Sequence, residues 1–212
     1  MLLLILAACA AAPDPSMGTP VMPTEMADAS AGMAMPAQNK AFDRMFIDRM
    51  VPHHQGAVEM ATIARTRAEH TEIKAMAERI ITSQEAEIGK MKGWRKAWFG
   101  REGTPAMGAP VAKAEMPGMA EMPGMSSMMN MPGDIEALKT ATPFDLAFLD
   151  AMIPHHDGAV LMAQACAGKA QHVEVKTLAV DMIRDQGKEI AQMREWRTAW
   201  YPTAPAISAA AH

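Results

Sequence analysis

Apolar positions recur along two neighbouring stretches of the chain with the spacing of amphipathic helices. The first stretch carries them at Phe42, Phe46, Met50, Ala57, Ala61 and Ala64. This spacing keeps one face of a helix inward, because successive helical residues are rotated by about 100°. The second stretch runs from about Thr71 to Trp98, and the residues from Arg67 to His70 leave room only for a short turn. The pattern therefore predicts an antiparallel helical hairpin.

The hairpin is present twice, because the sequence repeats itself at a constant offset of 102 residues without a gap. The segment Met50-Val51-Pro52-His53-His54-Gln55-Gly56 returns as Met152-Ile153-Pro154-His155-His156-Asp157-Gly158. The same offset pairs His70 with His172, Glu87 with Glu189, Met91 with Met193 and Trp98 with Trp200. Such a duplication decides the architecture. The predicted fold is all-α, with two tandem helical hairpins that bury their apolar faces as a four-helix bundle.

Pro52 and Pro154 lie inside the first helix of each hairpin. Proline lacks a backbone N–H and clashes with the preceding turn, so we expect a kink or a new helix start at both positions. His53 and His54 would then lie in a first turn or at a break in the helix.

Composition divides the rest of the chain. The predicted segments are a leader at 1–9, a flexible Met-rich tether at 10–39, the hairpins at 40–100 and 141–201, a disordered Met/Pro/Gly-rich linker at 101–140 and a disordered tail at 202–212. The linker contains Met116-Pro117-Gly118-Met119 and Met122-Pro123-Gly124-Met125, followed by Met128, Met129 and Met131. Because Pro-Gly pairs interrupt helices and strands, we expect these methionines to lie outside any regular core.

The leader ends in Leu6-Ala7-Ala8-Cys9, which resembles the lipobox of bacterial lipoproteins. We therefore expect an exported protein, periplasmic or attached to the cell envelope only through a lipid on Cys9. The alternative is a short apolar leader that happens to contain a cysteine, since no Lys or Arg precedes it and it is too short to cross a bilayer. Cys166 has Ala64 as its repeat counterpart and is expected to be a small buried residue.

The charge balance, 20 basic against 24 acidic residues with a net charge of −4, argues against a nucleic-acid-binding protein. The unusual component is methionine, with 23 residues against five phenylalanines. Such enrichment is typical either of adaptable packing or of soft-metal binding. Met45, Met76 and Met182 are interpreted as core residues.

The duplicated histidine pair is the candidate metal site. On a helical projection His53 and His54 straddle the centre of the inward stripe, and Met50 lies one turn before His54. Met91 and Glu87 fall on the buried stripe of the second helix, where a carboxylate needs a partner. A metal-bound histidine that donates its other ring N–H is such a partner.

The predicted ligands are Met50, His54 and Met91 in the first hairpin and Met152, His156 and Met193 in the second, with His53 and His155 as alternative or additional ligands and Glu87 and Glu189 orienting the imidazoles. Thioether with imidazole suits Cu(I), and equally Ag(I), better than Mg, Ca, Mn or zinc. Accessory candidates are Met60 and Met162, about 10 Å further along the helix than His53 and His155. The linker methionines Met116, Met119, Met122 and Met125 are candidates for low-affinity capture or handover.

These residues carry a family resemblance. The segment Phe-Ile-Asp-x-Met-Val-Pro-His-His-Gln-Gly-Ala-Val-x-Met-Ala at 46–61, followed by Gln84, Glu87, Ile88, Met91 and Trp94, resembles domain of unknown function family 305. The second hairpin repeats the pattern but has Asp157 and Leu161 where the first has Gln55 and Glu59. The resemblance implies a ferritin-like fold and export, and the family includes periplasmic copper-binding proteins of the CopM type.

The expected function is copper binding without enzymatic activity: sequestration of Cu(I), or handover to another envelope copper protein. One alternative is a structural envelope lipoprotein whose paired histidines cap and hydrogen-bond a kinked helix, because duplication copies structural residues as well as ligands. The other is a ferritin-like di-metal enzyme. That enzyme class needs inward-facing Glu-x-x-His pairs, and the sequence contains none.

Overall fold

This computed structural model describes residues 37–100 and 125–205 of the chain. Five α-helices lie within these residues. They are α1 (Ala37–Arg67), α2 (Thr71–Phe99), α3 (Met125–Leu138), α4 (Phe144–Ala167) and α5 (Val173–Trp200). α1 with α2 and α4 with α5 form the two hairpins, which pack together mainly through α1 and α4. The structure therefore confirms the all-α bundle of two tandem hairpins.

Two buried apolar clusters fill the interior of the bundle. The first apolar cluster draws on residues 57–80, 131–138, 144–153 and 190–193. The second apolar cluster draws on residues 46–51, Met91 and residues 159–182. The end of α1 thus shares the first cluster with the start of α4, and the start of α1 shares the second cluster with the end of α4. The two helices therefore run antiparallel. The offset of 102 residues relates one cluster to the other, apart from the contribution of α3.

A carboxylate from each hairpin holds the turn of the other hairpin. Asp145 accepts hydrogen bonds from the backbone N–H groups of Glu69 and His70, at 3.0 and 2.8 Å, and from Nδ1 of His70 at 2.6 Å. The His70 ring stacks on Trp200 of the other hairpin, with centroids 3.8 Å apart. These contacts satisfy the N–H groups of the turn before α2, including that of the N-cap residue His70, which has no partner within the helix.

The repeat carries a second copy of this linkage. Asp43 accepts hydrogen bonds from the backbone of Gln171 and His172, each at 2.9 Å, and from Nδ1 of His172 at 2.5 Å. The His172 ring stacks on Trp98, with centroids 3.7 Å apart. His70, His172 and the tryptophans thus join the hairpins at both ends of the bundle.

The linker is not entirely outside the core, which corrects one prediction. α3 lies within the segment 101–140, contains Pro132 and contacts α1 and α4. Its residues Met131, Ile135 and Leu138 are buried in the first apolar cluster. Burial of this apolar face offsets the local cost of a Pro-Gly pair, so a rule based on local sequence alone missed the helix.

A new helix start at the two prolines is also wrong. α1 is continuous through Pro52 and α4 through Pro154. The neighbouring residues are buried against the other hairpin, and this packing outweighs the cost of about 3 kcal/mol for an interior proline. The histidine pairs therefore lie in mid-helix. α1 also begins at Ala37, a few residues before the predicted end of the tether.

Several predictions for single residues can be compared with the structure. Met45, Met76 and Met182 are buried, as their interpretation as core residues requires. Cys166 is buried and free, and its burial, with the charge of Asp43 nearby, raises the thiol pKa to about 12. The leader with Cys9, most of the tether, and Met116, Met119 and Met122 lie outside the described residues. Within residues 37–100 and 125–205, no helix combines the length and apolar composition that crossing a bilayer requires.

Candidate metal centre

Four imidazoles meet at the middle of the bundle, where the two apolar clusters adjoin. His53, His54 and His156 are completely buried, and His155 is 5% exposed. The rings of His53 and His155, one from each hairpin, have centroids 3.8 Å apart with planes tilted by 39°. The rings within each pair are 6.5 Å apart in α1 and 6.1 Å apart in α4. We refer to these four residues as the histidine cluster.

Carboxylates on the second helix of each hairpin fix the outer two rings. Nε2 of His54 lies 2.6 Å from Oε2 of Glu87, and Nε2 of His156 lies 3.0 Å from Oε2 of Glu189. A carboxylate accepts the hydrogen bond, so each Nε2 carries the proton. In the neutral form of such a ring, Nδ1 presents a lone pair, and Nδ1 of both rings is buried. The imidazole–carboxylate contacts expected from helical phase are therefore present.

Six imidazole nitrogens of the histidine cluster are buried without a hydrogen-bond partner. They are both ring nitrogens of His53 and His155 and Nδ1 of His54 and His156. Two amide oxygens on the buried faces of α2 and α5 are also buried without a hydrogen-bond partner, namely Oε1 of Gln84 and Oε1 of Gln186. Because an unpaired buried polar group costs about 1–3 kcal/mol, a concentration of them at one place requires an explanation beyond packing.

Burial keeps the inner rings neutral. Desolvation lowers the pKa of His53 well below 6.5, and the nearby His54 and His156 lower it further. Desolvation, with the charges of His53, His156 and His54, likewise lowers the pKa of His155. The backbone of His53 raises the pKa of His155 by a smaller amount, although neither ring nitrogen of His155 has a hydrogen-bond partner. Neutral imidazole is the form that binds metal ions.

The thioethers proposed as ligands lie one helical turn from the outer histidines. Met50 is one turn before His54 on α1, and Met91 is one turn after Glu87 on α2. α1 and α2 are antiparallel, and the contact between His54 and Glu87 sets their register. Met50 and Met91 therefore both lie one turn from this contact, toward the same end of the bundle. Met50 and Met91 are fully buried in the second apolar cluster. Met152 and Met193 have the equivalent places in the first apolar cluster.

The accessory candidates are distributed differently. Met60 is buried in the first apolar cluster and Met162 in the second, each beyond the histidines toward one end of the bundle. Met125 is the first residue of α3. Gln84 and Gln186 were not among the predicted site residues, although both recur at the same offset on the buried stripe, which was the signal for including them.

Among the described residues, His, Cys, Asp and Glu side chains do not form a metal site without other donors. Within the described ranges, no group of three or more His, Cys, Asp or Glu side chains is arranged to hold one metal ion. The two carboxylates that face the histidine cluster each contact an imidazole.

Comparison with known proteins identifies the family. The family model for DUF305, a domain of unknown function, matches residues 43–197, with a further match to residues 10–62. The chain belongs to the DUF305 family. No curated protein matches it.

Solved structures of this family share the fold of the bundle. CopM in the Cu(I)-bound form superposes with a TM-score of 0.62 at 39% sequence identity, covering 75% of this chain and 97% of that chain. CopM has also been solved in Cu(II)-bound and Ag-bound forms, both at 39% identity. A DUF305 protein from Streptomyces coelicolor, described as secreted, gives a TM-score of 0.62 at 30% identity, covering 76% of this chain and 92% of that chain.

Proposed function

We propose that this DUF305 protein binds Cu(I), and Ag(I) in the same way, through the histidine cluster and its neighbouring methionines. The observation that carries the proposal is the set of six buried imidazole nitrogens without a partner. Two of them, Nδ1 of His54 and of His156, belong to rings whose other nitrogen is held by a carboxylate. That arrangement is typical of metal-bound histidine, where the second nitrogen donates to an oxygen acceptor.

The chemistry of the donors favours a soft monovalent ion. Imidazole nitrogen and thioether sulfur are neutral and polarisable, whereas Mg²⁺ and Ca²⁺ require several oxygen ligands. Glu87 and Glu189 face the cluster, but each contacts an imidazole, which leaves the methionines Met50, Met91, Met152 and Met193 as the other donors. The similarity to CopM in its Cu(I)-bound and Ag-bound forms supports this choice.

We further propose that copper is cargo here and that the protein has no catalytic role. It would sequester Cu(I) in the cell envelope or pass it to another copper protein there. Export through the leader, with or without a lipid on Cys9, is part of this proposal. The linker methionines Met116, Met119, Met122 and Met125 would capture the ion weakly before it reaches the bundle.

A purely structural role for the paired histidines has less support. Such a role requires them to cap or hydrogen-bond a broken helix, yet α1 and α4 run without interruption through both pairs. His70 and His172 show what structural histidines look like in this bundle, since both bond to an aspartate and stack on a tryptophan. Neither His53 nor His155 has such bonds.

Anaerobic titration with Cu(I) against a competing chelator tests the proposal. The parent is compared with a His53/His54/His155/His156→Ala variant and with a variant lacking residues 103–124. We expect the quadruple variant to lose the tightly bound ions and the deletion variant to keep them. Circular dichroism checks that both variants are helical. If the folded quadruple variant binds as many ions as tightly as the parent, the proposal is wrong.

A further inference from the structure

α3 breaks the twofold symmetry of the bundle close to the histidine cluster. This helix adds Met131, Ile135 and Leu138 to the first apolar cluster, which also contains Met152. In the part of the chain that the structure describes, the second apolar cluster receives no residue of α3. Among the described residues, a linker methionine therefore enters the first apolar cluster and none enters the second, which makes the two halves of the bundle unequal.

Met131 packs directly on the backbone of α1 at Gly56. A β-carbon built on Gly56 would overlap the sulfur of Met131, and its Cγ lies at 2.8 Å from the same point. Met131 is 1% exposed, so its thioether is enclosed between helices. Any larger residue at position 56 would displace it. The glycine that follows the histidine pair thus has a physical reason in the first hairpin, namely to admit a methionine sulfur.

This sulfur lies about one helical turn from His53. Gly56 is three residues after His53, and β-carbon positions at this spacing on a helix are about 5–6 Å apart. The sulfur of Met131 lies 1.8 Å from the β-carbon position of Gly56, so Met131 and His53 occupy neighbouring turns of the same face of α1. His53 is completely buried, and neither of its ring nitrogens has a hydrogen-bond partner.

A built connection holds the end of α3 in place. The guanidinium of Arg67 donates to the carbonyl of Leu138 and, at 3.0 Å, to the carbonyl of Ala141. It also lies over the ring of Phe144, 4.8 Å from the centroid. These contacts satisfy one carbonyl group in the last turn of α3 and one just after it, and they attach the helix to the end of α1. Met131, about two turns upstream of Leu138, is positioned by them.

We propose that Met131 is a sulfur ligand for the Cu(I) or Ag(I) ion that His53 binds, which makes the two halves of the histidine cluster unequal. This inference rests on the proposed function, because it assigns a further donor to the same site. A thioether is neutral and soft, so it adds affinity for a soft monovalent cation without a proton to release. The alternative is that Met131 only fills the groove at Gly56.

Methyl NMR of the full chain labelled with [¹³C-methyl]methionine and titrated with Ag(I) separates the two possibilities. Ag(I) is inert to redox change, and the methyl signal of a coordinated thioether shifts. M131L assigns the Met131 signal, and M76L assigns that of Met76, a buried core methionine elsewhere in the first apolar cluster. We expect the Met131 signal to shift with the first ion bound and the Met76 signal to remain in place.

Affinity measured on the same proteins provides the second readout. M131L keeps the packing volume and removes the sulfur, so its metal-free melting temperature should stay near that of the parent. Its affinity for the most tightly bound Ag(I) ion should fall by about tenfold or more. G56A displaces the thioether and should lower the affinity for Ag(I) to the same extent. M76L should leave this affinity unchanged.

The outcomes distinguish this inference from the proposed function. If Ag(I) shifts the methyl signals of Met50 and Met91 but leaves Met131 unmoved, Met131 is only a packing residue and the proposed function stands. If the His53/His54/His155/His156→Ala variant binds Ag(I) as tightly as the parent, the proposed function fails, and the role of Met131 fails with it.

Discussion

The imidazole of His53 lies against the imidazole of His155, with ring centroids 3.8 Å apart. These residues come from opposite hairpins, so the interface between the two repeats passes through the centre of the candidate site. Burial lowers the pKa of both rings, and the neighbouring imidazoles lower it further because a positive charge on one ring would repel a charge on the next. The duplication therefore produced one composite cluster, in which both hairpins are needed.

Replacement of His53 by leucine should preserve or increase the stability of the metal-free protein. Both ring nitrogens are buried without partners, and an apolar side chain removes that desolvation cost. We expect the free energy of unfolding in urea to stay equal or to rise by up to about 2 kcal/mol. His70→Leu is the matched control and should lower it, because His70 loses its bond to Asp145 and its stacking on Trp200. A loss of about 2 kcal/mol or more in H53L would show that His53 is a structural residue.

The metal-free protein should lose stability as the pH falls below about 6.5. The folded state holds the pKa of His53 and His155 below this value, so only the unfolded state takes up protons there. The stability contributed by the neutral rings is complete above pH 6.5 and decreases by about 1.4 kcal/mol per pH unit for each histidine. Urea unfolding at several pH values measures the slope. The H53L/H155L double variant shares all other titrating groups and should have a shallower slope, and identical slopes would contradict the pKa direction.

Removal of the charge on Glu87 and Glu189 should weaken metal binding more than it weakens the fold. Glu87→Gln together with Glu189→Gln keeps the side-chain size but no longer favours the proton on Nε2 of His54 and His156. We expect Cu(I) affinity to fall by about 10- to 100-fold in chelator competition. Glu85→Gln, on an exposed position of the same helix, is the control and should bind as the parent does. Unchanged affinity in the double variant would separate these carboxylates from the site.

The aspartates that join the hairpins should contribute to stability and not to metal binding. Asp145→Asn removes a buried carboxylate that accepts bonds from two backbone N–H groups and one imidazole. We expect a loss of about 2–3 kcal/mol in the free energy of unfolding, and a similar loss for Asp43→Asn because the repeat has the same contacts. Asp181→Asn, in an exposed ion pair with Arg184, should change stability by less than about 0.5 kcal/mol. Folded Asp145→Asn protein that had lost its Cu(I) would place Asp145 in the metal site.

Residues related by helical phase within one hairpin could be predicted from the sequence. The contact between His54 and Glu87 follows from the 3.6-residue period of two adjacent antiparallel helices, and the period was visible in both stretches. The duplication then supplied the equivalent contact between His156 and Glu189. The bundle itself followed from the same pattern.

Contacts between hairpins could not be predicted in this way. Asp43 and His172 are 129 residues apart, and no local pattern indicates that the start of one hairpin holds the turn of the other. The contact between the His53 and His155 rings depends on the antiparallel packing of α1 and α4, which periodicity does not specify. α3 was missed because its Pro-Gly pair disfavours a helix locally, whereas the groove at Gly56 that stabilises it exists only in the folded bundle.

The central claim is that the histidine cluster holds the metal, and anomalous diffraction from crystals loaded anaerobically with Cu(I) tests it most directly. Data collected on both sides of the copper K edge locate the copper atoms independently of any assumed ligand. We predict anomalous peaks beside Nδ1 of His54 and Nδ1 of His156, within the bundle. Peaks confined to the bundle surface, with none beside these nitrogens, would contradict the account.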